Sequence, residues 1–177
     1  ASPFFRDVET NLDYRSQMGD FDSRNKIFNT ALNIDIEAGG HTVSLVSGYV
    51  HYSTDEIADV GYTALKILDG TNQGEAYDQL SQEIRLTSPD DGPLTYIVGG
   101  YFQTSKLTAF DNVLFGDFFK TLSGPFAPFS LLGDSRSVRN FRQTSTLWSG
   151  FAQATYELTD DLRITAGVRF NNESKSG

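Results

Sequence analysis

The sequence lacks several residue types and patterns, and each absence excludes a class of protein. It contains no cysteine, which excludes disulfides, thiolate metal sites and cysteine nucleophiles. No stretch approaches the run of about 18 apolar residues that a transmembrane helix needs. Basic residues are few, with 14 Lys and Arg against 23 Asp and Glu and a net charge of −9. Because phosphate contacts need clustered Lys and Arg, we expect no nucleic-acid partner.

The residues that are abundant favour β-structure. Aromatic residues make up 13% of the 177 residues, and there are 16 glycines. Aromatic side chains are enriched in strands, and stretches with a helical pattern are scarce in this chain. Strands that alternate apolar and polar residues give a low average hydropathy, so the low hydropathy does not exclude a membrane barrel.

Alternation of apolar and polar residues predicts six strands. The clearest alternation begins at Leu162, and Ile164, Val168 and Phe170 share one face with it. Arg163, Thr165 and Arg169 occupy the other face, because successive side chains of a strand point to opposite sides. The predicted strands cover residues 26–37, 41–54, 75–88, 94–108, 144–158 and 162–172.

The connections between these strands alternate strictly in length. Short connections at 38–40, 90–93 and 159–161 contain Gly, Asp or Pro, the residues that tight turns favour. Long connections cover about 55–74 and 109–143. This layout predicts an all-β fold: a segment of an antiparallel, up-and-down transmembrane β-barrel with about six long strands, short periplasmic turns and long extracellular loops. A soluble sandwich is the alternative.

Several of these strands resemble barrel segments of TonB-dependent receptors. The "TLTSITGY" strand of the family is similar to 42–49, and the family's hairpin of a "FAQ" strand, a "LTD" turn and a "LTAGxR" strand is similar to 151–170. Further similar segments are 81–86 (SQEIRL) and 99–102 (GGYF). The four segments occur in the order expected for the family, over about 41–170.

The resemblance implies a 22-stranded barrel in the bacterial outer membrane, plugged by a separate domain. Such receptors capture a scarce nutrient such as a ferric siderophore and import it with energy from the TonB complex. The expected partners are therefore the plug domain, the TonB complex, the ligand and outer-membrane lipid, with no cofactor and no enzymatic activity.

The chain contains nothing that matches the plug or the TonB-contacting segment. We expect 1–177 to be a partial barrel domain, with 1–25 as an extracellular loop or an extra strand. Six strands of a large barrel curve too gently to close, so the first and last strands should not pair with each other.

The 109–143 connection is the strongest candidate for a ligand-binding loop. It contains seven of the 14 phenylalanines together with several cations, a combination typical of surfaces that recognise aromatic or anionic ligands. The alternative is a loop folded around its own small apolar core. The expected ligand-binding residues are Phe118, Phe119, Arg136 and Arg139, with Tyr62 from the other long loop.

No catalytic or metal site is predicted. His41 and His51 lie about 33 Å apart along one strand, too far to bind one metal ion. An outer-membrane phospholipase would need a Ser–His pair, but Ser44 falls on the opposite face from His41 and Ser53 lies in the rim. A soluble lipocalin-like or sandwich protein that binds a small apolar or aromatic ligand remains the main alternative function.

The alternation in 162–172 leads to a test of which face meets lipid. An arginine at Ile164 near the bilayer midplane should cost roughly 2–4 kcal/mol of barrel stability, whereas Thr165→Arg on the opposite face should cost far less. Urea unfolding of the full-length protein in lipid measures both variants. Equal losses would contradict the assignment of the faces.

Overall fold

A computed structural model describes residues 22–58 and 67–177 of the chain. Six strands pair in sequence order, β1-β2-β3-β4-β5-β6, in an antiparallel up-and-down sheet. Two 3-10 helices, Asp117–Thr121 and Gly124–Leu132, lie between the fourth and fifth strands. No helix within the described ranges is long and apolar enough to cross a membrane. The strands are β1 (Asp22–Ala38), β2 (His41–Ala58), β3 (Leu68–Thr87), β4 (Leu94–Phe115), β5 (Arg136–Thr159) and β6 (Leu162–Ser176).

The number of strands, their order and the three short turns agree with the sequence analysis. The two glycines of the first turn, Gly39 and Gly40, have φ values of 59° and 77°, which glycine adopts without a steric penalty. Within the described residues, β1 and β6 each pair with a single neighbour, so the sheet does not close on itself. This confirms the expectation that the first and last strands do not pair.

The strands extend further than alternation predicted. The loop is shorter than the predicted 109–143, because β4 continues to Phe115 and β5 begins at Arg136. Backbone pairing needs no strict alternation of apolar and polar side chains, so the sheet continues beyond the point where that alternation ends. At the other long connection β2 reaches Ala58 and β3 starts at Leu68. Residues 22–25 belong to β1, while 1–21 lie outside the described residues.

The register of β5 on β6 confirms which residues share a face. Ile164 lies opposite Tyr156, and Thr165 lies opposite Thr155. The Thr155 and Thr165 hydroxyls are hydrogen-bonded at 2.8 Å. An irregularity between Glu157 and Thr159 shifts the register next to the turn. The Tyr156–Ile164 pair therefore joins apolar side chains, and the Thr155–Thr165 pair joins polar ones.

The residues form two compact units. One comprises residues 27–52, 76–108 and 142–177, and includes all three short turns. On one of its faces large apolar side chains are exposed, among them Ile164 at 55% and Val168 at 71%. No hydrophobic side chain is buried anywhere in the described part of the chain. A single sheet without a second layer over its apolar face accounts for this.

On the polar face of this unit, the aromatic ring of Phe151 packs over Gly99 of β4. A Cβ added at Gly99 would lie 2.5 Å from Cζ of Phe151 and 2.7 Å from the carbonyl oxygen of Ile84. The Arg169 guanidinium lies 5.6 Å from the centroid of the same ring and donates a 3.0 Å hydrogen bond to Ser149. The missing side chain of Gly99 thus allows Phe151 and Arg169 to pack against the sheet.

The other unit contains the described residues of 1–26, 53–75 and 109–141. Asp111 on β4 accepts a 3.1 Å hydrogen bond from the buried Thr71 hydroxyl and is ion-paired with Arg139. Gln73 donates a 2.9 Å hydrogen bond to Glu56. These polar contacts link the strands of this unit where the apolar alternation has ended.

Two adjacent glycines on β4 provide a matched test of packing at the Gly99 position. Gly99→Ala should destabilise the protein by about 1–3 kcal/mol, because the added methyl collides with Phe151 and with rigid backbone. Gly100→Ala is the control, since its Cβ would meet nothing closer than 3.8 Å. Urea unfolding of the full-length protein measures both. A loss for Gly100→Ala as large as that for Gly99→Ala would contradict this packing.

Candidate ligand-recognition site

The connection between β4 and β5 is closed at its base by backbone hydrogen bonds. The Phe115 amide donates to the Ser135 carbonyl, and the Asp134 amide donates to the Phe115 carbonyl, both at 3.0 Å. The Gly116 amide donates to the Ile67 carbonyl at 2.9 Å. We call residues 116–134 the aromatic loop. Its two ends are adjacent, and both are fixed to strand backbone.

Phe118 and Phe119 support the loop from within. The Phe119 ring lies 5.6 Å from that of Phe115 and 5.9 Å from that of Phe118, in edge-to-face arrangements. Aromatic rings prefer such geometries, and all three side chains are only partly accessible. These rings therefore pack against one another, and their assignment to the ligand stays a prediction.

The exposed apolar side chains of the loop lie further along it. Phe126 and Phe129 in the second 3-10 helix are 60% and 53% exposed, and Leu131 is 85% exposed. Two prolines in the Gly124–Leu132 helix and the left-handed Gly124, at a φ of 63°, restrict the backbone that carries them. The loop thus presents an apolar surface on a short, constrained segment.

The two predicted arginines differ in their surroundings. Arg139 forms an ion pair with Asp111 on β4, so much of its charge is neutralised. Arg136, the first residue of β5, is exposed and has no ion pair or hydrogen bond with any described residue. Tyr62 lies outside the described residues. The structure thus brings Phe118 and Phe119 together, and Arg136 has no ion pair with the part of the chain that the structure describes.

Lys120 joins the two ends of the aromatic loop, which the sequence analysis did not predict. Its ammonium donates to the Asp117 carboxylate at 2.9 Å and is also paired with Asp134. Hydrogen bonds to Asp117 and then to Asp134 raise the pKa of Lys120 to about 12. The spacing of Asp117 and Lys120 is visible in the sequence, but Asp134 is distant along the chain and gave no signal.

These ion pairs determine what the loop can do chemically. Lys120 is paired with both Asp117 and Asp134. No group of three or more His, Cys, Asp or Glu that could hold a metal is present in the described ranges. The loop is therefore suited to contacts with apolar or aromatic groups.

Removal of the Lys120 ammonium should loosen the aromatic loop. In Lys120→Met, hydrogen exchange of the amides at 117–134 should accelerate by roughly two- to fivefold at neutral pH, a size typical of exposed ion pairs. Because the folded-state pKa is raised, the contribution is complete below about 10.5 and is lost as pH rises through about 12.

The control for this experiment is Lys175→Met, because Lys175 pairs only with Glu173 of its own strand among the described residues. Exchange at 117–134 should be unchanged in that variant. Equal exchange in Lys120→Met and the unsubstituted protein would show that the two ion pairs do not hold the loop.

The sheet of long antiparallel strands is similar to the folds of known proteins. A family model described as TonB dependent receptor-like, beta-barrel matches residues 2–177. The ferric yersiniabactin uptake receptor FyuA from Yersinia pestis has a similar fold, with a TM-score of 0.66 at 17% identity over 86% of this chain and 21% of that chain. For the unliganded ferric citrate transporter FecA the TM-score is 0.55, at 14% identity over 88% of this chain and 21% of that chain.

These likenesses concern the fold, and the chain spans about a fifth of the length of each receptor. No functionally curated protein is similar enough in sequence to match. The family match favours a receptor barrel over the lipocalin-like or sandwich alternative. The chain belongs to the TonB-dependent receptor family and forms six strands of its β-barrel domain.

Proposed function

We propose that this chain is part of a bacterial outer-membrane receptor that imports a scarce nutrient such as a ferric siderophore through its full barrel. Members of the family are outer-membrane receptors and transporters. The observation that carries the proposal is the exposed apolar face of paired strands, which has no protein layer over it among the described residues. In lipid such a face needs no further cover, and strand pairing satisfies the backbone.

The height of the apolar face suits a bilayer. At the turns, the His41 ring lies 2.7 Å from the Tyr96 hydroxyl. Further along β2, the Tyr49 ring packs 6.3 Å from that of Phe28. From His41 to Tyr49 the strand rises about 26 Å, and a tilt of 35–45° reduces this to about 20 Å. Apolar bands of outer-membrane barrels are about 25 Å tall and are flanked by aromatic residues.

In this proposal the short turns face the periplasm and the aromatic loop captures the ligand outside the cell. Phe126 and Phe129 stack on apolar parts of the ligand, and Arg136 attracts an anionic group. Phe118 and Phe119 stabilise the conformation of the loop. Arg139 supports the site through its ion pair with Asp111 on β4. Tyr62 belongs to the proposed site as the contribution of the other long loop.

The polar face of the strands lines the interior in this arrangement. The Arg85 guanidinium lies 3.0 Å from Glu83, and Arg163 lies 3.8 Å from Glu157. A plug domain of the same receptor would contact this face and would receive energy through the TonB complex. Import therefore needs the complete receptor. The part described here supplies the loop that captures the ligand and a section of the barrel wall.

Replacing 117–133 with a short Gly-Ser linker in the full-length protein tests capture by the loop. We expect the loss of ligand-dependent growth under iron restriction, measured with a panel of ferric siderophores. The barrel should stay folded, because strand pairing ends at Phe115 and Ser135 outside the replaced segment. Heat-modifiable migration on gels checks the folding.

A double substitution distinguishes recognition of the ligand from stabilisation of the loop itself. Phe126→Ala with Phe129→Ala should weaken binding by roughly 10- to 100-fold, since each aromatic contact contributes about 0.5–1.5 kcal/mol beyond its area. Hydrogen exchange at 117–134 should remain unchanged, because both rings are exposed. Uptake that persists unchanged in the linker variant would contradict capture by this loop.

A further inference from the structure

Two cations lie on the apolar face of the unit that contains the three short turns, at the end nearer the aromatic loop. Side chains an even number of positions apart share a face of a strand. Lys106 therefore lies on the same side of β4 as Phe102, which is 42% exposed. Arg142 lies on the same side of β5 as Trp148, which is 50% exposed. Charged side chains on a face rich in exposed apolar groups require an explanation.

The pairing of β4 with β5 makes the two cations neighbours. The Phe151 ring packs over Gly99 across the two strands. Seven positions further along β4 and seven back along β5, Lys106 lies opposite Thr144, and Arg142 is the next residue on the same face. Such diagonal neighbours lie about 7–8 Å apart, within reach of each other for long side chains. One anionic group can therefore contact both cations.

Both cations are available to a partner outside the protein. Lys106 and Arg142 are exposed, and neither has an ion pair or side-chain hydrogen bond within 22–58 and 67–177. Lys106 attracts the carboxylate of Asp78 on β3 electrostatically, without a hydrogen bond between them. The two positive charges thus remain free to bind an anion.

The Asp78 carboxylate adds a hydrogen-bond acceptor beside the cations. Its Oδ1 accepts a hydrogen bond from the Tyr49 hydroxyl and another from the His51 Nδ1–H, each at 2.8 Å. Its Oδ2 accepts none from the described residues. Since a carboxylate can accept about four hydrogen bonds, Oδ2 is available to a donor such as a hydroxyl group.

The level of the cations follows from the aromatic residues below them. Aromatic residues mark the boundary between hydrocarbon and headgroups in such barrels. From Phe102 to Lys106 the strand rises about 13 Å, and from Trp148 to Arg142 about 20 Å. A strand tilt of about 35–45° reduces these rises to roughly 10 and 15 Å. Both cations therefore lie well beyond the hydrocarbon, on the loop side.

We infer that Lys106, Arg142 and Asp78 bind the headgroup of a membrane glycolipid that carries phosphate esters on its sugars. Lys106 and Arg142 contact a phosphate group, and Oδ2 of Asp78 accepts a hydrogen bond from a sugar hydroxyl. The acyl chains follow the apolar face past Phe102 and Trp148. The inference rests on the proposed function, which places this end of the barrel at the outer surface of a membrane.

The level of the site and its chemistry together select a sugar headgroup. The headgroup layer of a phospholipid bilayer is only about 5–8 Å thick on each side, so it ends below both cations. A headgroup built of sugars is thicker and can place phosphate esters at the level of Lys106 and Arg142. Its hydroxyl groups match the free oxygen of Asp78, and charge-assisted hydrogen bonds of this kind are the stronger ones.

Lipid competition measured on the full-length protein tests the site. The purified protein receives equal amounts of bisphosphorylated lipid A, the same lipid without its phosphates, and phosphatidylglycerol. Native mass spectrometry counts the lipids retained. We expect about a tenfold preference for lipid A over each competitor, which corresponds to about 1.4 kcal/mol. One competitor lacks phosphate and the other lacks sugar, so each tests one half of the recognition.

Substitutions separate the roles of the cations from that of the carboxylate. Lys106→Met and Arg142→Met should each lower the preference over the dephosphorylated lipid to about threefold, and the double variant should remove it. Lys106→Arg should keep most of the preference. Asp78→Ala should weaken retention of the dephosphorylated lipid, because that lipid binds through its sugar alone.

The variants also separate folding from binding. Lys106 and Arg142 have no partner among the described residues, so their loss should leave the fold unchanged even if Asp78→Ala disturbs its neighbours on β2. Lys175→Met is the control, because Lys175 on β6 lies opposite Ser145 on the polar face, and this variant should retain the preference.

Three results would overturn the site. They are equal retention of the three lipids, a preference for phosphatidylglycerol, and unchanged selectivity in the double variant of Lys106 and Arg142. Unchanged retention of the dephosphorylated lipid in Asp78→Ala would remove the carboxylate from the site. Failure of the protein to insert into any lipid membrane would instead refute the proposed function.

Discussion

Hydrogen bonding between neighbouring strands is the interaction on which the rest of this structure depends. A sheet one layer thick has no hydrophobic core, and none of the described hydrophobic side chains is buried. Pairing along β1 to β6 satisfies the backbone, so one face can be apolar while the other carries Glu83, Arg85 and Arg169. Side-chain packing then acts locally, as where Phe151 covers Gly99. The two faces of the sheet are therefore suited to different environments.

Period-two alternation was sufficient to predict six strands, their order and the shared faces of β5 and β6. It also predicted the three tight turns, because Gly and Asp at those positions permit the required backbone. Alternation could not give the strand ends. Pairing continues through Thr71, Asp111 and Arg139, where polar side chains replace the apolar pattern. The loop between β4 and β5 is shorter than predicted for this reason.

The candidate site was likewise predictable from the sequence only in part. Composition drew attention to the aromatic loop, but it could not distinguish the rings that pack together from those that remain exposed. Phe118 and Phe119 contact each other, whereas Phe126 and Phe129 are open to solvent. The distinction depends on the Lys120 ion pairs and on the fold of the loop. The hydrogen bonds of Asp78 with Tyr49 and His51 join β3 to β2, and sequence parity alone did not predict them.

The closed base of the aromatic loop has a consequence for the history of such receptors. Its ends are adjacent in space, and the hydrogen bonds of Phe115 with Asp134 and Ser135 belong to the hairpin. An insertion, deletion or exchange within the loop therefore alters neither the stagger of the strands nor the wall that they form. The loop can therefore vary in length and sequence among relatives while the wall of paired strands changes slowly.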